Sequence, residues 1–246
     1  LLYVALTAAT GLLGNISMWG YLKGQVEKPV LKELRPLRHL KETLVYFIPT
    51  IATSVYTILD KTMLGWFSGE NKSQNGYYEY ATGFVNMAKI LIMSFNAVMS
   101  ARMSYLFGTG RMEEIHKRFQ DSLDFVLLMA MPIMLGLAGI AAQFIPWFLG
   151  NGYLPVTFLM YVCSPLVLVV GLSDCIGSQI LTPGGKRAQS GKVIVAGAMV
   201  NACLNFLLIP HFAALGAAAA SVAAECFITS LYLWLGRDFI KLKMLV

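Results

Sequence analysis

The chain has 246 residues, of which 57% are hydrophobic and only 13% charged, with a mean hydropathy of +0.64. This excludes a water-soluble globular domain and leaves a polytopic, all-α membrane protein. The net charge of +6 would suit nucleic acid in a soluble protein, but here its distribution serves another purpose, described below.

At about 20 apolar residues per crossing, the pattern predicts spans at roughly 1–20, 44–66, 79–104, 122–147, 154–181, 193–210 and 213–235. The first begins at Leu1, already inside an apolar run, with no basic n-region and no cleavage site. Residues 1–22 therefore read as a membrane helix and not a signal peptide, and the chain reads as a fragment with an upstream part missing. Residues 23–42 form a basic linker, carrying Lys23, Lys28, Lys32, Arg35, Arg38 and Lys41. Six spans joined by short loops follow over 43–236, and 237–246 is a tail. The organisation expected is the last helix of a truncated lobe followed by a complete six-helix lobe, a plan common among transporters. Proline frees a backbone carbonyl, so kinks are expected at Pro49, Pro132 and Pro165.

Sixteen of the 19 Lys and Arg fall on one side of this topology: in the linker, the third and fifth loops, and the tail. The other side has Lys72 alone, with Lys61 and Lys89 in or near the membrane. The basic side is thus expected to be cytoplasmic, the C-terminus with it. Trp19, Tyr21, Trp66, Phe67, Tyr77, Tyr78 and Trp147 mark span ends and read as an interfacial belt.

Charges inside spans are the candidates for function, since each costs roughly 2.5–3.5 kcal/mol at bilayer depth. Asp60 and Lys61 close the second span, Glu79 opens the third, and Lys89 lies ten residues further in. At about 100° per residue, Glu79, Thr82, Asn86, Lys89, Met93, Asn96 and Ser100 share one face of the third span, opposite Phe84, Ala88, Leu91, Ile92 and Phe95. The expectation is a polar stripe toward a hydrated lumen and an apolar wall toward lipid. The alternative is one buried pair of Lys89 with Glu79 or Asp60, gluing two helices together.

Further on, Gly171, Asp174 and Ser178 share a face of the fifth span, with Gln179 beside them, and Glu225 sits in the small-residue run LGAAAASVAAE. Asp174 and Glu225 are either a packing pair or sites of proton or substrate coupling. Asn201 and Asn205, at i and i+4, favour interhelical hydrogen bonds.

Catalysis finds little support. His39, His116 and His211 are scattered over loops, and no HExxH, GxSxG or phosphate-binding loop is present. Cys163, Cys175, Cys203 and Cys226 lack metal or disulfide spacing and read as small apolar fillers. Nothing calls for a cofactor or a metal.

The runs LDKTMLGWF (59–67), NGYYEYA (75–81), QILTPGGKR (179–187), NACLNFLLIP (201–210) and LGAAAASVAAE (215–225) together resemble the second lobe of bacterial polysaccharide flippases. These O-antigen and related lipid-linked oligosaccharide flippases belong to the multidrug/oligosaccharidyl-lipid/polysaccharide exporter superfamily. The chain departs from the pattern at Ala213, where the family places a glycine. The resemblance implies a multi-pass transporter of the bacterial inner membrane that works by alternating access and needs the missing N-terminal lobe of the same chain. Its partners would be membrane lipid and an undecaprenyl-pyrophosphate-linked oligosaccharide, with Lys89 as an anion contact. A cation-coupled multidrug exporter of the same superfamily is the alternative. An integral-membrane glycosyl or acyl transferase would need interfacial catalytic residues and a large outer loop, which the sequence lacks.

Overall fold

The computed structural model describes residues 2–22, 40–67 and 73–240. They are helical almost throughout, with no strand among the described residues. The chain divides into two units, Leu1–Glu42 and Thr43–Val246. In the first, α1 spans Leu2–Leu22, about 30 Å at 1.5 Å per residue, and Leu12, Leu13 and Ile16 are exposed along it. Residues 23–39 of the linker, Lys23 to Arg38 and His39 among them, lie outside the described residues, as do Lys72, the tail after Ile240, and the side chains of Trp19, Tyr21 and Lys41. The linker's last residues, 40–42, open the next helix.

The second unit begins with α2 (Leu40–Phe67), α3 (Ser73–Gly108) and α4 (Met112–Phe148). α5 (Leu154–Cys163) and α6 (Leu166–Ile176) follow, then a π turn at Gly177–Leu181, and last α7 (Arg187–Gly236). Ser73–Gly108, Met112–Phe148 and Arg187–Phe239 are each long and apolar enough to cross a membrane. The pair Asn151–Cys163 and Leu166–Leu181, bent by 40°, reaches that length and hydropathy only together, as a broken span or a re-entrant loop. Pro165 sits at that break, where its missing N–H ends α5. By contrast, α2 and α4 run unbroken through Pro49, Pro132 and Pro146, so no helix break marks the first two of these prolines.

α7 runs over 50 residues as two arms. Ala213 leaves the helical region, with φ 48° and ψ −126°. Three residues on, a Cβ on Gly216 would meet the Leu208 carbonyl oxygen at 2.5 Å, whereas eight residues of straight helix span about 12 Å. Farther from the turn, Gly197 faces Ile228, and Ser190 meets the Tyr232 hydroxyl. These pairs close on Ala213, so the arms 187–212 and 214–236 form an antiparallel hairpin. Gly197, Gly216 and Ala217 let its backbones approach closely.

The backbone angles at Ala213 are those of the first central position of a type II′ turn, which belongs to glycine. Ala213→Gly is expected to stabilise the lobe by about 1 kcal/mol, measured as a rise in melting temperature in detergent. An unchanged or lower value would show that the turn is not strained.

Two helices extend beyond their predicted spans. α3 continues through Arg102 to Gly108, and α4 starts at Met112, ten residues before the apolar run. In those ten residues Ile115 and Phe119 are fully buried, while Glu113 and Glu114 sit in the first turn, where a helix favours acids. Arg102, Arg111 and Arg118 surround Glu114 at 3.2, 3.6 and 3.8 Å. His116 stacks on Phe239, and the Lys186 Nζ donates to the Leu235 carbonyl at 3.3 Å. The basic turns after α3, after α6 and after α7 are therefore gathered at one end of the unit. The other end has Tyr77 and Tyr80 against Tyr153, and Phe67 against Phe206.

The core runs between α3, α4, α6 and α7, with Ile92, Met103, Phe119, Val126, Val167 and Ile176 all at 1% exposure or less. This corrects the expected orientation of α3. Ile92 is buried, Phe84 packs edge-on to Phe144, and Phe95 lies against Phe125. The side expected to face lipid is largely the side that packs into the bundle. Of the four cysteines, Cys163 and Cys175 fill the core as expected, while Cys203 and Cys226 are exposed.

Candidate functional site

Two cavities lie among α2, α3, α6 and α7. The larger, about 420 Å³, is bounded by Thr53, Lys89, Met93, Asp174 and both arms of α7. The smaller, about 180 Å³, is bounded by Asp60, Lys61, Glu79, Asn86 and Lys89. They share Lys89, Val170 and Glu225, so together they make one cleft with Lys89 at its waist.

Lys89 is half-buried in a spanning helix. No carboxylate among the described residues lies within ion-pair distance of it, although Glu225 borders both cavities with it. The predicted pairing of Lys89 with Glu79 or Asp60 is not formed, because both acids are engaged elsewhere. Glu79 is exposed and pairs with Lys61 at 2.5 Å. Asp60 is 3% exposed and takes three donors: Ser221 Oγ at 2.8 Å, the Tyr78 hydroxyl at 3.0 Å and Asn205 Nδ2 at 2.5 Å. Asn205 also donates to Asn201 Oδ1 at 3.0 Å. Asp60 thus ties α2 to α3 and to both arms of α7.

Asp174 lines the larger cavity. Asn96 Nδ2 donates to its Oδ2 at 3.0 Å and to the Gly171 carbonyl at 3.1 Å, and Asn96 Oδ1 accepts from Gln179 Nε2 at 3.1 Å. Asn96 is fully buried and does not reach the cleft; it positions Asp174 from behind. α3 and α6 meet closely here because a Cβ on Gly171 would lie 3.1 Å from Ile92 Cγ2. Asn86, exposed, borders the smaller cavity.

The cleft also includes residues that the sequence reading passed over. Tyr78, read as an interfacial anchor, is 4% exposed and bonds Asp60. Its spacing from Thr82 and Lys89 was the available signal, since all three share a helix face. Ser221 stands one turn before Glu225 and was hidden among alanines. Arg187, Ser190 and Tyr232 come from the hairpin arms and line the larger cavity. The set offers one central cation, acids on both sides and many hydroxyls, with no group of three or more metal-ligating side chains among the described residues.

A protein of Escherichia coli (strain K12) named "Putative O-antigen transporter" is 26% identical over 216 residues, which cover 88% of this chain and 51% of that protein. A solved structure of the lipid II flippase MurJ in an inward closed conformation matches with a TM-score of 0.67 at 17% identity. That match covers 85% of this chain and 48% of the flippase, and at this identity it shows the fold. The chain therefore spans about half the length of each. A family model described as "Polysaccharide biosynthesis protein" matches residues 14–158, more than half of the sequence. The chain belongs to this polysaccharide biosynthesis protein family.

Proposed function

We propose that this chain supplies one lobe of a transporter that flips undecaprenyl-diphosphate-linked oligosaccharides to the outer leaflet for cell-surface polysaccharide synthesis. The observation that carries the reading is Lys89, a cation at membrane depth, facing both cavities without an ion pair among the described residues. A diphosphate is the ligand such a group fits, because an anion entering the bilayer needs a counter-charge that is not already neutralised. The family match, the O-antigen name of the relative and the flippase-like fold support the same class. In this reading 43–236 is the six-helix C-terminal lobe and 1–22 the last helix of the lobe before it. The membrane is the bacterial inner membrane, and the end bearing Arg102, Arg111, Arg118, Lys186 and Arg187 is cytoplasmic, with the C-terminus.

Deleting the gene tests this. Surface polysaccharide should disappear while lipid-linked oligosaccharide accumulates in the cytoplasmic leaflet. Normal surface polysaccharide together with greater sensitivity to cationic drugs would point instead to an exporter.

A further inference from the structure

The larger cavity continues past Lys89 toward the basic end, into a band of polar groups that a diphosphate contact does not explain. After Ile176 the helix widens into the π turn, in which the Thr182 N–H donates five residues back to the Gly177 carbonyl at 3.0 Å. Such turns recur at functional sites. Here the turn leaves Asp174, Ser178 and Thr182 lining one cavity wall. Ser100 Oγ anchors the Ser178 carbonyl at 2.9 Å, yet the buried Ser178 Oγ has no partner among the described residues. Asp174 has its Oδ2 held by Asn96, leaving Oδ1 for a ligand. Arg187 donates to Thr182 Oγ1 at 3.3 Å across the same cavity. Tyr232 forms a fixed wall, bonded to Ser190 and seated so close to Gly177 that a Cβ there would meet its ring at 2.9 Å.

We propose that this end of the cleft is a saccharide subsite that reads the sugar adjoining the diphosphate, through Asp174, Ser178, Thr182 and Arg187. A sugar hydroxyl both donates and accepts, and this set answers it: a carboxylate accepts, a guanidinium donates, and the hydroxyls do either. A lipid tail would need none of them. The cavity volume of about 420 Å³ lies within the range of small-molecule sites. The register fits as well. Asn96, which holds Asp174, lies seven residues beyond Lys89 on α3, about 10 Å along the axis, a separation suited to a diphosphate followed by one sugar ring.

The inference rests on Lys89 taking the diphosphate, and the test separates the two. Purified full-length protein is titrated with a polyprenyl diphosphate that is bare or carries glucose, galactose or N-acetylglucosamine. The wild type should hold at least one glycosylated lipid tighter than the bare one by about tenfold or more, the worth of a single hydrogen bond to a charged group. Asp174→Asn and Ser178→Ala should each narrow that preference, read as the ratio of glycosylated to bare-lipid affinity in the same variant. Ser178→Ala removes no side-chain bond among the described residues, and its melting temperature, measured alongside, separates a lost contact from a folding defect. Lys89→Gln should weaken all four lipids alike. If the wild type binds the four equally, or if the two variants keep its preference, the subsite is wrong. If Lys89→Gln changes nothing, the diphosphate reading itself fails.

Discussion

Lys89→Ala should abolish surface polysaccharide without reducing the amount of protein in the membrane, while Lys89→Arg should retain much of the transport. The reason is a partner that Lys89 lacks. It has no ion-pair partner among the described residues, so removing it does not strand a carboxylate already bonded to it. Removing a charge from a span also makes insertion easier. What is lost is the attraction for an anion in a low-dielectric cleft, about 2–5 kcal/mol for a buried charged contact. Arginine keeps the charge, though its planar head distributes it differently. The competing account makes Lys89 a structural counter-charge for Glu225, which borders both cavities with it. In that case Lys89→Ala should lower abundance, and adding Glu225→Gln should restore both abundance and transport. Rescue of transport in the double variant would end the substrate-contact role.

The fold was largely legible because apolar runs of membrane length leave a helical bundle as the main solution. What hydropathy could not show was where helices pass into water. The first turns of α4 carry charges, so they look like loop, although Ile115 and Phe119 anchor them. The absolute orientation of α3 was misread for a different reason. Its two faces were separated correctly by their period, but lipid and protein core are equally apolar, so hydrophobicity cannot tell which of them an apolar face meets. Ile92 against Gly171 is decided by a glycine 79 positions away. The same limit explains the site. The ionisable candidates stand out in sequence because lipid penalises them, and the cleft brings together Asp60, Lys61, Glu79, Asn86, Lys89, Asp174 and Glu225. Around them stand Tyr78 and Ser221, bonded to Asp60, and the Ser190–Tyr232 pair on the cavity wall, ordinary residues in a membrane helix until tertiary structure aims them inward.

Asp60→Ala should cost the lobe about 3 kcal/mol or more, seen as lost folded protein in the membrane and in detergent. Three donors converge on the Asp60 carboxylate from α3 and the two arms of α7. Alanine removes that acceptor in a site only 3% exposed; Tyr78 and Ser221 can still bond each other, but one hydroxyl hydrogen and the Asn205 amide are left unsatisfied, each at roughly 1–3 kcal/mol. Asp60→Asn should behave differently. Its carbonyl oxygen can still accept from Asn205, and its amide can face Ser221 and Tyr78, whose hydroxyls lie 3.0 Å apart and rotate to accept. Abundance and melting temperature of the asparagine variant should therefore stay near wild type while the alanine variant falls. Equal stability of the two would mean that the network does not hold the helices together. Because Asp60 also borders the smaller cavity, transport is measured on the same samples. A fully abundant Asp60→Asn protein that cannot transport would assign the negative charge a role in the cleft beyond tying α2 to the hairpin.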